Sequence, residues 1–539
     1  MTARLALHFI PDQAPDAGLM RAMALDGTLD GIGCFAATQA HAAECERQLR
    51  QSGFEGPIER VAPGRPQDLE RFGVLVHPAA GIERLAWRRL ALGERRYSLC
   101  GIVHATASHA AMSTLTGLLV APVRSWDALI CPSRVVRDSV RELIERQADY
   151  LRVRLGAQRF ELPQLPLIPP GVQCVDLAFS PDARAAARHR LGIDEDDVAF
   201  LFPAHPSFDA STHPQQMFIA LERAQQPDRR VHLMLCGAFA NDAIERAFRE
   251  AAAALCPSIR LTVLDGRAPD NQVAAWAAAD VFTSLSDNVQ ETFGLTPAEA
   301  MAAGLPCVVS DWNGYRDTVR DGIDGYRIPT VMPGPGAGLD LAQRYDDGVD
   351  SYDMYCGHTS QAVAVDGVKL AEAYGQLIRD ANLRRQLGEN ARRRAREVFD
   401  WPVVFARYRQ LWSELDERRR ADPALGPALP QAAPDRPDPF ALFASYPSAQ
   451  ITPQSLVELA PEASLALVRQ YRELGINRFA TTSLPTLEEF GQIFGSIESR
   501  PMQVEELLDT LGPCDQPMLL RGLAWLCKMD LLRIGAASE

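Results

Sequence analysis

Short apolar runs alternate with amphipathic stretches through the first ~400 residues. The runs Leu5–Pro11, Ile32–Ala37, Val74–Pro78, Ser98–Ala107 and Asp127–Pro132 read as strands. A second series follows at Val198–His205, Val231–Gly237, Ile259–Gly266, Val281–Ser286 and Pro306–Asp311. Between the strands of the second series, Pro214–Gln225, Ala243–Leu255 and Gln272–Ala279 carry helical spacing. Strands that are apolar throughout, alternating with amphipathic helices, predict parallel sheets covered on both faces. The fold class is α/β, with two doubly wound Rossmann-like domains separated near PLIPPG, Pro166–Gly171. In such folds a ligand lies at the carboxyl ends of the strands, here in the cleft that the two domains would face.

The expected boundaries are 1–170 for the first domain, 171–400 for the second, and 401–420 for a helix crossing back to the first. Val331–Gly357 is rich in Gly, Pro and Asp and reads as a loop or insertion. A proline-dense linker, 421–439, precedes a mainly helical, winged-helix-like module at 440–539. Its helical spacing is carried by Val504, Leu507, Leu508 and Leu511, and again by Leu519, Leu523 and Leu526.

Charge narrows the partners. The net charge is −14, and residues 431–539 hold 8 cations against 14 acids, so neither the chain nor the module has a nucleic-acid footprint. The module is expected to contact a protein partner instead. No run has the length of a membrane span, the start MTARLALHFIPD reads as a strand, and the eleven cysteines are scattered singly; the expected location is cytoplasmic. Two of the 55 cationic side chains are lysines, Lys369 and Lys528. Any cationic contact before position 369 must therefore use Arg or His.

The chemistry is concentrated in DNVQETFGLTPAEAMAAGLPCVVSDWNGYRDTVRDGIDGYRIPT, residues 287–330. A polar loop with Glu291 follows a strand, and Phe293-Gly294-Leu295 leads into a helix. Thr296 suits its N-cap, Pro297 its first position, and Glu299 the third place of a capping box. A glycine before a helix N-terminus lets backbone N–H groups approach an anion that the helix dipole favours. Two glutamates flanking that nest could accept hydrogen bonds from sugar hydroxyls.

Glu291 and Glu299, with FGL-TP between them, EAMAAGLP after them and glycines at 314, 322 and 325, resemble the E-x7-E donor signature of bacterial retaining family-4 glycosyltransferases with the GT-B fold. GIVHATAS, WDALICPSRVV, LPLIPPGV and FDW…YRQLW look like the same group, so the resemblance covers roughly residues 1–420. It implies transfer of a sugar from a nucleotide diphosphate, UDP or GDP above all, to an acceptor hydroxyl on a surface glycan or a protein. No cofactor and no metal are expected. The resemblance implies that Glu299 binds the ribose and Glu291 the donor sugar. Phe293, Gly294 and Leu295 would offer N–H groups, and His104 would stand near the reaction centre. Gly18 and Leu19 fall at the acceptor-side loop. Asp194-Glu195-Asp196 has a metal-binding look but reads as a charged turn.

One departure stands out. The family's arginine and lysine, which clamp the diphosphate, have no counterpart in FPAHPSFDASTHPQQM, residues 202–217. His205 falls near the arginine position and Ser211 near the lysine, with His213 beyond. Arg267 or Arg316 could reach in from elsewhere. The alternatives are a catalytically inactive scaffold subunit of the same fold, or a sugar phosphorylase.

Overall fold

In the computed structural model the described residues are 3–10, 17–203, 207–208, 212–422, 433–513 and 515–535. They form two compact units, 1–433 and 434–539.

The first unit contains two six-stranded sheets, each wholly parallel. The N-terminal sheet uses β1 (Ala3–Phe9), β2 (Leu29–Ala36), β3 (Ile58–Val61), β4 (Val74–Val76), β5 (Ser98–Ile102) and β6 (Ala128–Ile130), in the order β3-β2-β1-β4-β5-β6. The second uses β7 (Val198–Pro203), β8 (Val231–Gly237), β9 (Arg260–Asp265), β10 (Val281–Ser284), β11 (Cys307–Ser310) and β12 (Gly325–Ile328), in the order β12-β11-β10-β7-β8-β9. Both have the doubly wound Rossmann order, with switch points between β1 and β4 and between β7 and β10. Buried strands such as Val198–Phe202 and Leu233–Leu235 explain the unbroken apolar runs.

The 21-residue helix Trp401–Ala421 contributes Trp401, Val404, Phe405, Tyr408, Leu411 and Trp412 to the core of the N-terminal sheet. Its first residue is the pivot of the packing. A Cβ on Gly18 or on Gly171 would come within 2.3 and 2.4 Å of the Trp401 indole, so both glycines exist to admit that ring.

Three expectations need correction. Val331–Gly357 is not a plain loop: it holds most of two helices, Leu339–Asp346 and Tyr352–Ser360, based on an antiparallel pairing of Thr330–Val331 with Ala364–Val365. Tyr345 stacks on Tyr355 at 4.9 Å and on His109 of the N-terminal domain at 3.7 Å, and this aromatic packing supplies the order that composition concealed. The helix after the FGL turn spans Leu295–Ala303 with Gly294, not Thr296, at the N-cap and no side-chain cap. Thr296 bonds the Tyr315 hydroxyl instead, so the capping box read from Thr296 and Glu299 does not form. The run Ser98–Ala107 leaves the sheet at Ile102.

The second unit pairs 456–459 antiparallel with 502–503 and 532–535, covered by helices including Leu487–Ile497, Val504–Leu511 and Gln516–Lys528. Val468, Phe490, Ile493, Leu507, Leu523 and Leu526 form its core.

Candidate donor and acceptor site

The site grows out of the loop that follows β10. Four hydrogen bonds from the next strand and its turn fasten it: Ser310 Oγ donates to the Ser286 carbonyl at 2.6 Å, Trp312 Nε1 to that of Asn288 at 2.9 Å, and Asn313 Nδ2 to that of Glu291. Tyr315 supplies the fourth, its hydroxyl lying 2.8 Å from Ser284 Oγ and 3.5 Å from Glu291 Oε2. Asn313 takes the left-handed conformation, φ 42°, to make its bond.

The FGL turn is shaped by two glycines. Gly294 has φ 73°, and a Cβ there would lie 1.9 Å from the Tyr315 ring; a Cβ on Gly314 would lie 2.3 Å from Phe293 Cα. Tyr315, 2% exposed, is thus a buried post under the turn. Burial pushes the Glu291 carboxyl above its usual range, against the opposing pull of the N–H groups of Thr292 and Gly294 and of the Tyr315 hydroxyl. The same burial raises the Tyr315 phenol far beyond its normal value, which keeps it a neutral donor.

The N-terminal domain meets this turn directly. Ser133 Oγ donates to the Thr292 carbonyl at 2.8 Å, and the Arg134 N–H donates to Asp317 at 2.6 Å. His104 lies just beyond β5, exposed, with Nε2 2.7 Å from the Pro78 carbonyl. A carbonyl only accepts, so Nε2 carries a proton and donates it to that bond, which leaves Nδ1 turned away from Pro78.

Two hollows flank the turn. One, of about 260 Å³, is bordered by His104, Leu19, Thr292 and Phe293. The other, of about 310 Å³, is bordered by Gly18, Leu295, Glu299, Gln272 and Trp276. The structure therefore gathers His104, Leu19 and Phe293 on one side, and Gly18, Leu295 and Glu299 on the other, with Glu291 directly before Thr292. It does not bring in the two arginines. Arg267 forms a two-point pair with Asp265 and is largely exposed, while Arg316 lies 3.6 Å from Asp311 at the surface. His205 and Ser211 lie outside the described residues. Burial holds His213 below the usual histidine range, which disfavours its charged form.

Sequence reasoning missed two residues. Tyr315 is one; its only signal was the Asn313-Gly314-Tyr315 turn, read for its glycine alone. Asp287 is the other. It is 5% exposed, accepts from the His213 N–H, has no hydrogen-bond partner at Oδ1 among the described residues, and is pushed up to about 7 by burial. Asp194–Asp197 is a charged turn, with Asp197 bonded at 2.7 Å to the buried His232 and bonded to the Asp194 N–H. Among the described residues no helix is long and apolar enough to cross a membrane.

Comparison with known proteins agrees with this geometry. Residues 184–333 match the family model of glycosyl transferases group 1. The D-inositol 3-phosphate glycosyltransferase of Nocardia farcinica is 30% identical over 227 residues, covering 40% of this chain and 48% of that protein. Its counterpart from Mycolicibacterium vanbaalenii is 30% identical over 309 residues, covering 52% and 64%. The chain thus spans about half the length of the first of these curated relatives and under two thirds of the second. The crystal structure of Anabaena HepE in complex with UDP aligns with a TM-score of 0.51 and 17% identity, covering 76% of this chain and 100% of that one. Two parallel Rossmann-like sheets face a cleft in the GT-B arrangement, and the group 1 glycosyl transferase match lies in the second of them.

Proposed function

We propose that the chain is a retaining, metal-independent glycosyltransferase that moves a sugar from a nucleotide diphosphate, UDP- or GDP-linked, to an acceptor hydroxyl of a glycan or protein. The observation that carries this reading is the FGL turn: a helix N-terminus opened by Gly294, flanked by Glu291 and Glu299, with His104 of the other domain bordering the same hollow as Phe293 and Thr292. The N–H groups at that helix start would face the diphosphate, where the helix dipole stabilises negative charge as the leaving group departs. Glu299 would hold the ribose on one side of the turn and Glu291 the sugar hydroxyls on the other. His104, its Nε2–H held by the Pro78 carbonyl, would present Nδ1 to a sugar hydroxyl at the reaction centre. The named substrate class of the curated relatives supports sugar transfer as the reaction.

A second reading has one observation in its favour. Arg267 and Arg316 are each engaged by a carboxylate, and no lysine precedes position 369, so the diphosphate has fewer cations available than the family resemblance implies. That fits a binding subunit without turnover. Calorimetric titration with UDP, GDP and ADP, repeated on Glu299→Ala, tests both. Saturable binding of one nucleotide, lost in the variant, with release of sugar from the matching donor, supports the enzyme; binding without turnover supports the subunit; no binding refutes the donor site.

A further inference from the structure

Resting on that reading, we infer that the acceptor is a neutral alcohol carrying an apolar group, such as an alkyl or aryl glycoside, and that the hollow beside His104 holds the apolar part. The argument is the chemistry of its walls. Leu7, Val76, Ile102, Ile168, Phe293 and Trp401 form its body, and none of the described residues lining it is Arg, Lys, Asp or Glu. Its polar side chains are few: His104, Thr292 and Tyr408. Leu7, Val76, Ile168 and Trp401 are themselves 0–5% exposed, so the hollow reaches into the core rather than lying on the surface.

Such a site does not suit a phosphorylated acceptor. A phosphate needs charge-assisted donors, and desolvating it among aliphatic walls is costly. The segment 11–16, PDQAPD, lies outside the described residues and contains no Arg, Lys or His. The first cation of the helix Ala17–Leu25, Arg21, is already paired with Asp176 at 2.5 Å. The acceptor named for the curated relatives, D-inositol 3-phosphate, therefore finds no anion partner among the described residues that line this hollow.

Size fits the same conclusion. A dry cavity of about 150 Å³ with aliphatic and aromatic walls accepts benzene. About 260 Å³ takes a phenyl ring with a substituent, or a short alkyl chain. The hydroxyl-bearing end would then emerge between His104 and Thr292, beside Glu291.

The test is calorimetric titration of the full chain with ethyl, butyl and hexyl β-D-glucopyranosides, with the matching n-alkanols, and with D-inositol 3-phosphate. Each methylene that enters the hollow is expected to tighten binding about fourfold in both alkyl series. Ile102→Phe, which fills the hollow from the half-buried end of β5, should abolish that gradient while leaving UDP affinity within error. Flat alkyl series, or D-inositol 3-phosphate binding more tightly than hexyl glucoside, overturns the inference. UDP is titrated separately: if it fails to bind while the alkyl gradient is present, the hollow stands and the glycosyltransfer reading falls.

Discussion

Replacing Asp287 by asparagine should stabilise the protein, and more so as the pH rises. Asp287 follows β10 in a position that is 5% exposed, its Oδ1 lacks a partner among the described residues, and the carboxyl accepts from the His213 N–H. Burial lifts that carboxyl from 3.8 to about 7. A carboxyl raised in the folded state is harmless where both states are protonated, below about pH 4. As pH climbs from there to about 7, the unfolded chain releases its proton and the folded one does not, and stability drains away. Each unit of difference is worth about 1.4 kcal/mol. The loss is then roughly 1.6 kcal/mol at pH 5 and reaches a ceiling of roughly 4 kcal/mol above pH 7. The asparagine side chain has no charge to lose and keeps an oxygen for the His213 N–H. Urea unfolding of parent and Asp287→Asn at pH 5 and pH 8 should therefore show the variant ahead at both, by about 2–3 kcal/mol more at pH 8. A gain of equal size at the two pH values, or a variant weaker than the parent at pH 8, would refute the reasoning. A residue that costs this much and lies beside the proposed diphosphate loop is the kind retained for activity rather than stability. Asp287→Asn should accordingly lower donor turnover while raising stability.

Three further outcomes are expected. Gly294→Ala should lower the thermal midpoint and abolish UDP binding, since alanine there faces both a φ of 73° and a contact of 1.9 Å with the Tyr315 ring; binding at parental affinity would show that the turn tolerates relaxation. His109→Ala and Tyr345→Ala, singly and together, should show a coupling of about 0.5–1.5 kcal/mol in unfolding, because their rings stack at 3.7 Å across the two domains; strict additivity would mean that the insertion rests on the first domain without holding it. His8 and His77 share a hydrogen bond between ring nitrogens at 3.1 Å, which requires a neutral acceptor, and burial holds them at about 4 and about 3. Both are depressed below the unfolded value, so the stability they contribute is present above about pH 6.5 and is lost as pH falls toward 4. His77→Gln should flatten that acid limb of the urea midpoint, and an unchanged slope would remove the pair from it.

The parts legible in the sequence are those whose physics is local. Ten of the twelve strands of the two large sheets announced themselves as apolar runs, and nine of those ten are largely buried, β9 alone being only half-buried along its length. The two that did not are edge strands: β3, IERV, with polar residues on its open side, and β12, GYRI, which joins the sheet only because Gly325 lets the chain come within 1.9 Å (measured to a would-be Cβ) of the Cys307 carbonyl. The FGL turn was legible for the same reason as the inner strands. A glycine at the start of a helix, with carboxylates eight residues apart, is one contiguous piece of backbone chemistry.

What supports that turn was not legible, because it comes from elsewhere in the chain. Tyr315 acts on Glu291 from 24 residues downstream, and Asp287 meets a backbone N–H from His213, 74 residues upstream; neither pairing leaves a periodicity. The proposed acceptor side is the extreme case. Its hollow is assembled from β1, the helix that follows it, β4, β5, the crossover near Ile168, the FGL turn and the helix at Trp401, so no single stretch of sequence carries its chemistry. On the proposed reading, this asymmetry follows from what each half would recognise. A diphosphate can be held by backbone N–H groups, and a motif can encode those; an acceptor is recognised by the shape and polarity of converging side chains. On the proposed reading, donor chemistry is the part that a contiguous motif can carry, and acceptor chemistry is the part that it cannot.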